Sequence, residues 1–200
     1  MKKILIFGSG GHAYSCFDVI RSLKNYNFSG FVSQNKIVNR KKDLIIGCEI
    51  NVKDLRLKNK FACIGIGQIK NYKPRKRIVN LVKKYKFILP KIISSKSYVS
   101  DTASIDEGTI VMHNVTINAS VVIGKYCIIN TGSIIEHNVK INDYCHISTG
   151  VILNGQVSIG EGTFIGSGTI IKENIKVGKN CIIGMGSVIK KDVPNYAIFK

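Results

Sequence analysis

Sixteen aliphatic residues stand at every sixth position from Val99 to Ile189 without a break, as at Ile117, Ile123, Ile129, Ile135, Ile141 and Ile147. A helix repeats every 3.6 residues and a strand every 2, so neither can keep such a series on one side. A chain of this period must bend after each short strand, and three strands close one triangular coil with every sixth residue inside it. A second series of small or β-branched side chains comes four positions after the first: Ala103, Thr109, Val115, Val121, Cys127, Ser133, Val139 and Cys145. The position directly after the aliphatic residue often holds Asn or Gly, among them Asn118, Gly124, Asn130, Asn142, Gly160 and Gly178. These residue types tolerate corners, so the corners are expected there. Residues 97–190 thus read as a parallel β-helix of about five coils.

The repeat, an aliphatic residue followed by Gly or Asn with a small residue in the fifth place, resembles that of the hexapeptide-repeat acyltransferases. The resemblance implies a left-handed coil, against the usual crossover hand. It also implies a homotrimer with acyl-CoA lying between neighbouring subunits. Some coils of this kind serve only as scaffolds or carry a lyase-type zinc site, and the repeat alone leaves that open.

The period fades near Leu89-Pro90, which divides the chain into domains at 1–90 and 91–200. Residues 3–7 form a short apolar run of the buried parallel type, followed by Gly8-Ser9-Gly10-Gly11-His12-Ala13 and an amphipathic segment to about residue 24. Further strands are expected at residues 30–32, 45–46 and 62–67, with a last helix over 73–86. The first domain is therefore a small Rossmann-like α/β unit, whose ligands belong at the carboxyl ends of its strands. Glycines at 8, 10 and 11 let the backbone turn tightly and aim amide N–H groups at a diphosphate. The same glycines also suit close helix–strand packing alone. The second strand ends Phe31-Val32-Ser33-Gln34-Asn35, without an acid for a ribose 2′-hydroxyl, which argues against a nicotinamide cofactor.

Charge separates the halves. Residues 1–98 hold 22 Lys and Arg against 4 Asp and Glu, and so carry the entire net charge of +18. Such a field attracts anions. The basic residues are scattered, apart from Arg40-Lys41-Lys42 and residues 73–77, and no nucleic-acid-binding signature accompanies them. A nucleotide is therefore the expected anionic partner rather than nucleic acid, and much of the excess reads as a solvated lysine-rich surface. No apolar run approaches a membrane span and the first residues do not form a signal peptide, so a cytoplasmic location is expected. The six cysteines lack zinc or redox spacing and read as structural thiols, with no metal site.

Taken together, Gly-Ser-Gly-Gly-His-Ala after the first strand, Cys63-Ile64-Gly65-Ile66-Gly67-Gln68 at the fourth and the coil beyond resemble the sialic acid O-acetyltransferase and bacterial nucleotide-amino-sugar N-acetyltransferase family over nearly the whole chain. The resemblance implies acetyl transfer from acetyl-CoA to the 4-amino group of a UDP- or GDP-linked deoxy sugar, in surface glycan synthesis. Acetylation of a sialic acid hydroxyl is the alternative within the family, and a noncatalytic sugar-nucleotide-binding or scaffold subunit is the alternative outside it. The nucleotide sugar would meet Gly8, Gly10, Gly11, His12 and Gly67.

The resemblance assigns the general base to His137. Removing a proton from an attacking amine or hydroxyl near neutrality suits an imidazole. Glu136 is the carboxylate nearest to it in sequence. The family usually has Asp or Glu directly after this histidine, where Asn138 stands here. His146 matches a second family histidine near the thioester; it lies nine residues, half a coil, from His137, so the two converge only across a subunit interface. Gly155, one coil after His137, would offer its N–H to the thioester oxygen. Ser167 and Met185 match the pantetheine and adenine groove. His113, outside the motif, reads as an ordinary surface or interface histidine. No cysteine is paired with a histidine in the sequence, so transfer is expected to be direct. The chain ends at Lys200 where relatives continue with a Gly-x-Pro-Ala-Lys-type segment, which would lower cofactor affinity if nothing follows.

Overall fold

A computed structural model of the chain describes residues 1–34 and 44–199. The expectations for Asn35 and for Arg40-Lys41-Lys42 fall outside the described residues.

The first domain is a parallel sheet of four strands, β1 Lys2–Phe7, β2 Tyr26–Ser33, β3 Ile45–Cys48 and β4 Phe61–Ile64, in the order β3-β2-β1-β4. Residues Ile4, Leu5, Ile6 and Phe7 of the inner strand are all buried, because helices and coil cover both faces of a parallel sheet. Helix α1 (Gly11–Arg21) turns Ala13, Cys16, Val19 and Ile20 inward. It stops short of residue 24, since Ser22 bonds back to the carbonyl of Val19 through both its N–H and its hydroxyl. A 3-10 turn, Glu49–Asn51, and helix α2 (Val52–Lys58) were not expected from the sequence; only Val52 among them is buried, so they leave almost no apolar period. Helix α3 runs Lys73–Lys84.

The second domain is the expected left-handed parallel β-helix, made of two-residue strands. It is longer than residues 97–190, beginning with the pair Ile92–Ile93 and ending with Ile198–Phe199. Ile93 continues the six-residue series downward. At the other end Ile182 pairs with Ile198 across 16 residues rather than 18, so the last coil is two residues short and drops out of step. All sixteen series residues point inward, and every one except the partly buried Val99 is fully enclosed. Thr109, Ser133, Thr163 and Thr169 of the second series are also enclosed, each donating its hydroxyl to a corner carbonyl.

The corners are built differently from the expectation. Left-handed backbone falls three positions after the aliphatic residue, at Asn114, Ser120, Tyr126, Asn138, Tyr144 and Gln156 and at Gly132, Gly150 and Gly168. The Gly directly after it has another reason to be Gly: a Cβ at Gly160 would stand 2.5 Å from the backbone of Gly178 in the next coil. Close stacking of coils excludes the side chain there, not a positive φ.

The residue before each series position points outward, and pairing lines these up into three faces. On the docked face Ile92, Ile110, Ile128, His146, Phe164, Ile182 and Ile198 follow one another in register. The first three share a core with Ile4, Ile6, Ala13 and Ile20, and so seat the α/β domain on the coil. On the apolar face run Tyr98, Thr116, Ile134, Ile152, Ile170 and Val188. On the polar face run Ser104, Val122, Lys140, Ser158 and Lys176.

Candidate active site

The docked ladder changes from aliphatic to imidazole at His146, which the loop after β4 meets through Gln68. A cleft of about 820 Å³ opens there, lined by His12 and Ser15 of α1, by residues 67–71 of the loop after β4, by Pro74, and by Asn130, Thr131, His146 and Thr149 of the coil. It lies at the carboxyl ends of β1 and β4, as expected for this kind of sheet.

The glycines of the first turn divide by role. Gly8 has φ +121°, and a Cβ on it would strike the Gly65 carbonyl, so packing requires this glycine. Gly10 and Gly11 have nothing within 4 Å of where a Cβ would stand and leave the start of α1 open. A Cβ on Gly67 would stand 3.7 Å from the His12 side chain, an ordinary contact.

His146 is held at both ring nitrogens. Nδ1–H donates to the Gln68 carbonyl at 2.5 Å, which fixes the tautomer, and Nε2 accepts from the Asn130 amide at 3.3 Å. Burial pushes its pKa down to about 4, the Gln68 carbonyl opposing and Arg75 assisting. His12 falls to about 3 through burial first, then through Arg75 and His146. Both rings are neutral at physiological pH. Gln68, not singled out in the sequence, also ties the domains together by donating its Nε2 to the Tyr144 carbonyl at 2.7 Å. Nothing in its local sequence marks it, because its partners lie 76 and 94 residues away.

One Cys–His pair escaped the sequence reading: Cys16 Sγ lies 3.5 Å from His12 Nε2, one helical turn on. The thiol is fully buried, and a hydrogen bond with Cys63, then burial, raises its pKa, so it stays protonated and is no nucleophile. His113 bonds Ser94 Oγ at 2.6 Å through Nδ1, consistent with a structural residue.

His137 stands apart from this cleft, exposed at the corner between the apolar and polar faces. Its ring lies over Gly155, where a Cβ would come within 2.8 Å of Nε2. Its Nδ1 is 3.1 Å from the Asn138 amide. Glu136 does not reach that nitrogen; its carboxylate accepts from Asn118 Nδ2 at 2.9 Å, one coil below. The strand ends at Ile135 and the chain turns at His137, so Glu136 and His137 fall on different sides of a corner and adjacency in sequence misleads here. Among the described residues no acceptor takes the Gly155 N–H.

The other edge of the apolar face, toward the cleft, carries a column of Gly132, Gly150, Gly168 and Gly186, each left-handed and with nothing within 4 Å of a Cβ position. Ser167 borders the column, its hydroxyl 2.9 Å from that of Ser148, and Met185 stands at the top, 84% exposed. Within one chain, then, His146 joins His12 and Gly67, Ser167 and Met185 flank the glycine column, and His137 with Gly155 occupies the opposite edge of the apolar face.

An α/β cap on a left-handed hexapeptide coil, with a cleft at their seam, defines the architecture of a hexapeptide-repeat acyltransferase. The PglD N-terminal domain profile matches residues 3–82, and that of the bacterial transferase hexapeptide (six repeats) matches residues 156–191. The chain thus carries two recognisable parts, an N-terminal segment similar to the PglD N-terminal domain and a segment similar to the hexapeptide repeats of bacterial transferases. A histidine-to-asparagine variant of perosamine N-acetyltransferase from Caulobacter crescentus, in complex with CoA and GDP-perosamine, is similar at a TM-score of 0.92 and 26% identity, over 99% of this chain and 93% of that one. The acetyltransferase domain of PglB from Neisseria gonorrhoeae FA1090, in complex with acetyl coenzyme A, is similar at 0.88 and 26%, over 98% and 95%. WeeI from Acinetobacter baumannii AYE shares the fold at a TM-score of 0.87 and 23% identity, over 99% and 96%.

Proposed function

We propose that this protein transfers the acetyl group of acetyl-CoA to the amino group of a UDP- or GDP-linked 4-amino-deoxy sugar, with His137 as general base. The observation that carries the reading is end-to-end likeness to an enzyme crystallised with CoA and GDP-perosamine, over both domains and the seam between them. The open start of α1 at Gly10 and Gly11 suits a diphosphate, and Lys70 lines the cleft together with His12 and Ser15 of the same helix. The glycine column suits a pantetheine chain, because it forms a wall free of side chains.

The apolar face argues for three copies around one axis. Tyr98, Ile170 and Val188 lie exposed on it, 62%, 39% and 54%, and burying them against other copies removes an apolar patch from water. A head-to-tail ring brings the His137 corner of one copy to the glycine column and cleft of the next. His137 and the cleft residues then face one site from two chains.

In that site the amine nitrogen bonds to the thioester carbon, the carbon–sulfur bond breaks, and the proton lost by nitrogen passes to His137 Nε2 and on to the departing thiolate, which leaves as the free thiol. The Asn138 amide nitrogen stands 3.1 Å from Nδ1; with the amide turned end for end, its oxygen accepts from Nδ1–H and leaves the Nε2 lone pair free. The Gly155 N–H meets the carbonyl oxygen as that atom gains charge. The mechanism has no acyl-enzyme step. Six free, buried thiols fit the reducing cytoplasm, where a surface glycan precursor would be acetylated.

The test is thiol release from acetyl-CoA with UDP- and GDP-4-amino-deoxy sugars, CMP-sialic acid and free sialic acid as acceptors. Turnover confined to amino-sugar nucleotides is expected. Turnover only with sialic acids moves the reading to O-acetylation, and none with any acceptor removes the enzymatic reading.

A further inference from the structure

A cation lies buried behind the wall of the cleft, and among the described residues no carboxylate is paired with it. Arg75 follows the cleft-lining Pro74 on α3 and is 1% exposed. Its Nε donates to the Tyr126 carbonyl at 2.9 Å, and its Nη1 donates to the carbonyls of Ile64 and Ile66 at 2.9 and 2.8 Å. Nη2 is buried and has no partner among the described residues. Carbonyl dipoles solvate a guanidinium but do not neutralise it, and a charge this deep is ordinarily paired.

The ion pairs among the described residues involve Arg77, Lys83, Lys125 and Lys172, not Arg75. The titratable and charged groups around it are His12 and Cys16 from α1, Cys63 from β4, Lys70 from the following loop, Lys76 from α3, and Tyr126, Cys127, Tyr144 and His146 from the coil. Of the coil carboxylates near Tyr144, Asp143 accepts from the Lys125 N–H and Glu161 from the Tyr72 hydroxyl. Neither lines the cleft.

We infer that Arg75 sets the charge state of the cleft: as an un-neutralised cation behind the wall, it makes an acceptor amine bind there as the free base rather than as the ammonium ion. The inference rests on the reading that an amino-sugar nucleotide occupies this cleft. An ammonium ion entering the cleft sheds one proton to solvent, and its nitrogen lone pair becomes available to the thioester carbon. The same positive field attracts the diphosphate and disfavours protonation of His12 and His146, which burial already opposes.

The experiment is an NMR titration of the four histidine rings, alongside kcat against pH, in the wild type, Arg75→Met and Arg75→Lys. Met keeps the bulk and removes the charge, whereas Lys keeps the charge and removes the fork of hydrogen bonds. In the wild type His12 and His146 are expected to stay neutral down to pH about 5. In Arg75→Met both midpoints, and the acid limb of kcat, move up by on the order of one pH unit. In Arg75→Lys they hold. Ordinary midpoints near 6.5 in the wild type overturn the inference even if Arg75→Met fails to fold. A folded Arg75→Met with unmoved midpoints overturns it as well. The ring titrations need no substrate, so midpoints that move as expected without turnover on any amino-sugar nucleotide would sink the acceptor reading and leave the electrostatic role of Arg75 standing.

Discussion

The His137 imidazole rests on the bare backbone of Gly155 one coil away, where a Cβ would stand 2.7 Å from its Cε1 and 2.8 Å from its Nε2. The glycine supplies the space that the ring uses. Gly155 lacks a left-handed backbone, so Ala fits the chain itself and disturbs only the ring above it. Gly155→Ala is expected to lower kcat about 10- to 100-fold by displacing the base. Its melting temperature should stay near that of the wild type. Steady-state kinetics beside thermal unfolding checks this, and an unaffected kcat would contradict the assigned ring position.

Asn138 has two tasks that substitutions can separate. It turns the corner at φ +60° and it meets Nδ1 of His137. Asn138→Gly keeps the turn, since glycine adopts that backbone freely, and removes the amide. It should cost about tenfold or more in kcat with little loss of stability. Asn138→Asp should recover most of the rate by accepting from Nδ1–H. Equal activity in all three proteins would leave Asn138 only the corner.

Ile152 sits in the middle of the apolar ladder, paired with Ile134 and Ile170. A carboxylate there cannot be buried against another copy without a large desolvation cost. Ile152→Glu is expected to sediment as a monomer with an intact α/β domain and without turnover. A trimer of full activity would place the interface on another face.

The coil was legible in the sequence because its inward positions are fixed by one rule repeated without exception from Val99 to Ile189. Its ends were less so: Ile93 continues the rule unnoticed, and the short last coil takes Phe199 out of step. The left-handed position of each corner is not legible from Gly and Asn alone, because these residues have two uses here, a left-handed backbone at Gly132 and close coil stacking at Gly160. His137 and Gly155 could be placed together from their 18-residue spacing. Gln68 and Arg75 could not, since their partners are carbonyls, which every residue type carries, and those of Tyr144 and Tyr126 are brought near only by docking of the domains.

Acid should loosen the seam between the domains. The pKa of His146 is lowered from an ordinary 6.5 to about 4, so the unfolded chain binds a proton that the folded one refuses. The stabilisation is therefore full above pH 6.5 and is lost as the pH falls toward 4, by about 3 kcal/mol at most from this ring. Urea unfolding from pH 7 to 4.5 should show the decline, and His146→Gln should flatten part of it. A slope that His146→Gln leaves unchanged would assign the acid sensitivity to other groups.

The account holds that one site draws His137 from one copy and the cleft from the next, and mixed trimers test this most directly. His137→Ala and His146→Ala should each be inactive in thiol release from acetyl-CoA with an amino-sugar nucleotide. Trimers assembled from equal amounts of the two should regain about a quarter of wild-type activity, because one interface in four then combines an intact His137 with an intact cleft. Mixed trimers as inactive as their parents would contradict the account and place both histidines in a site within a single chain.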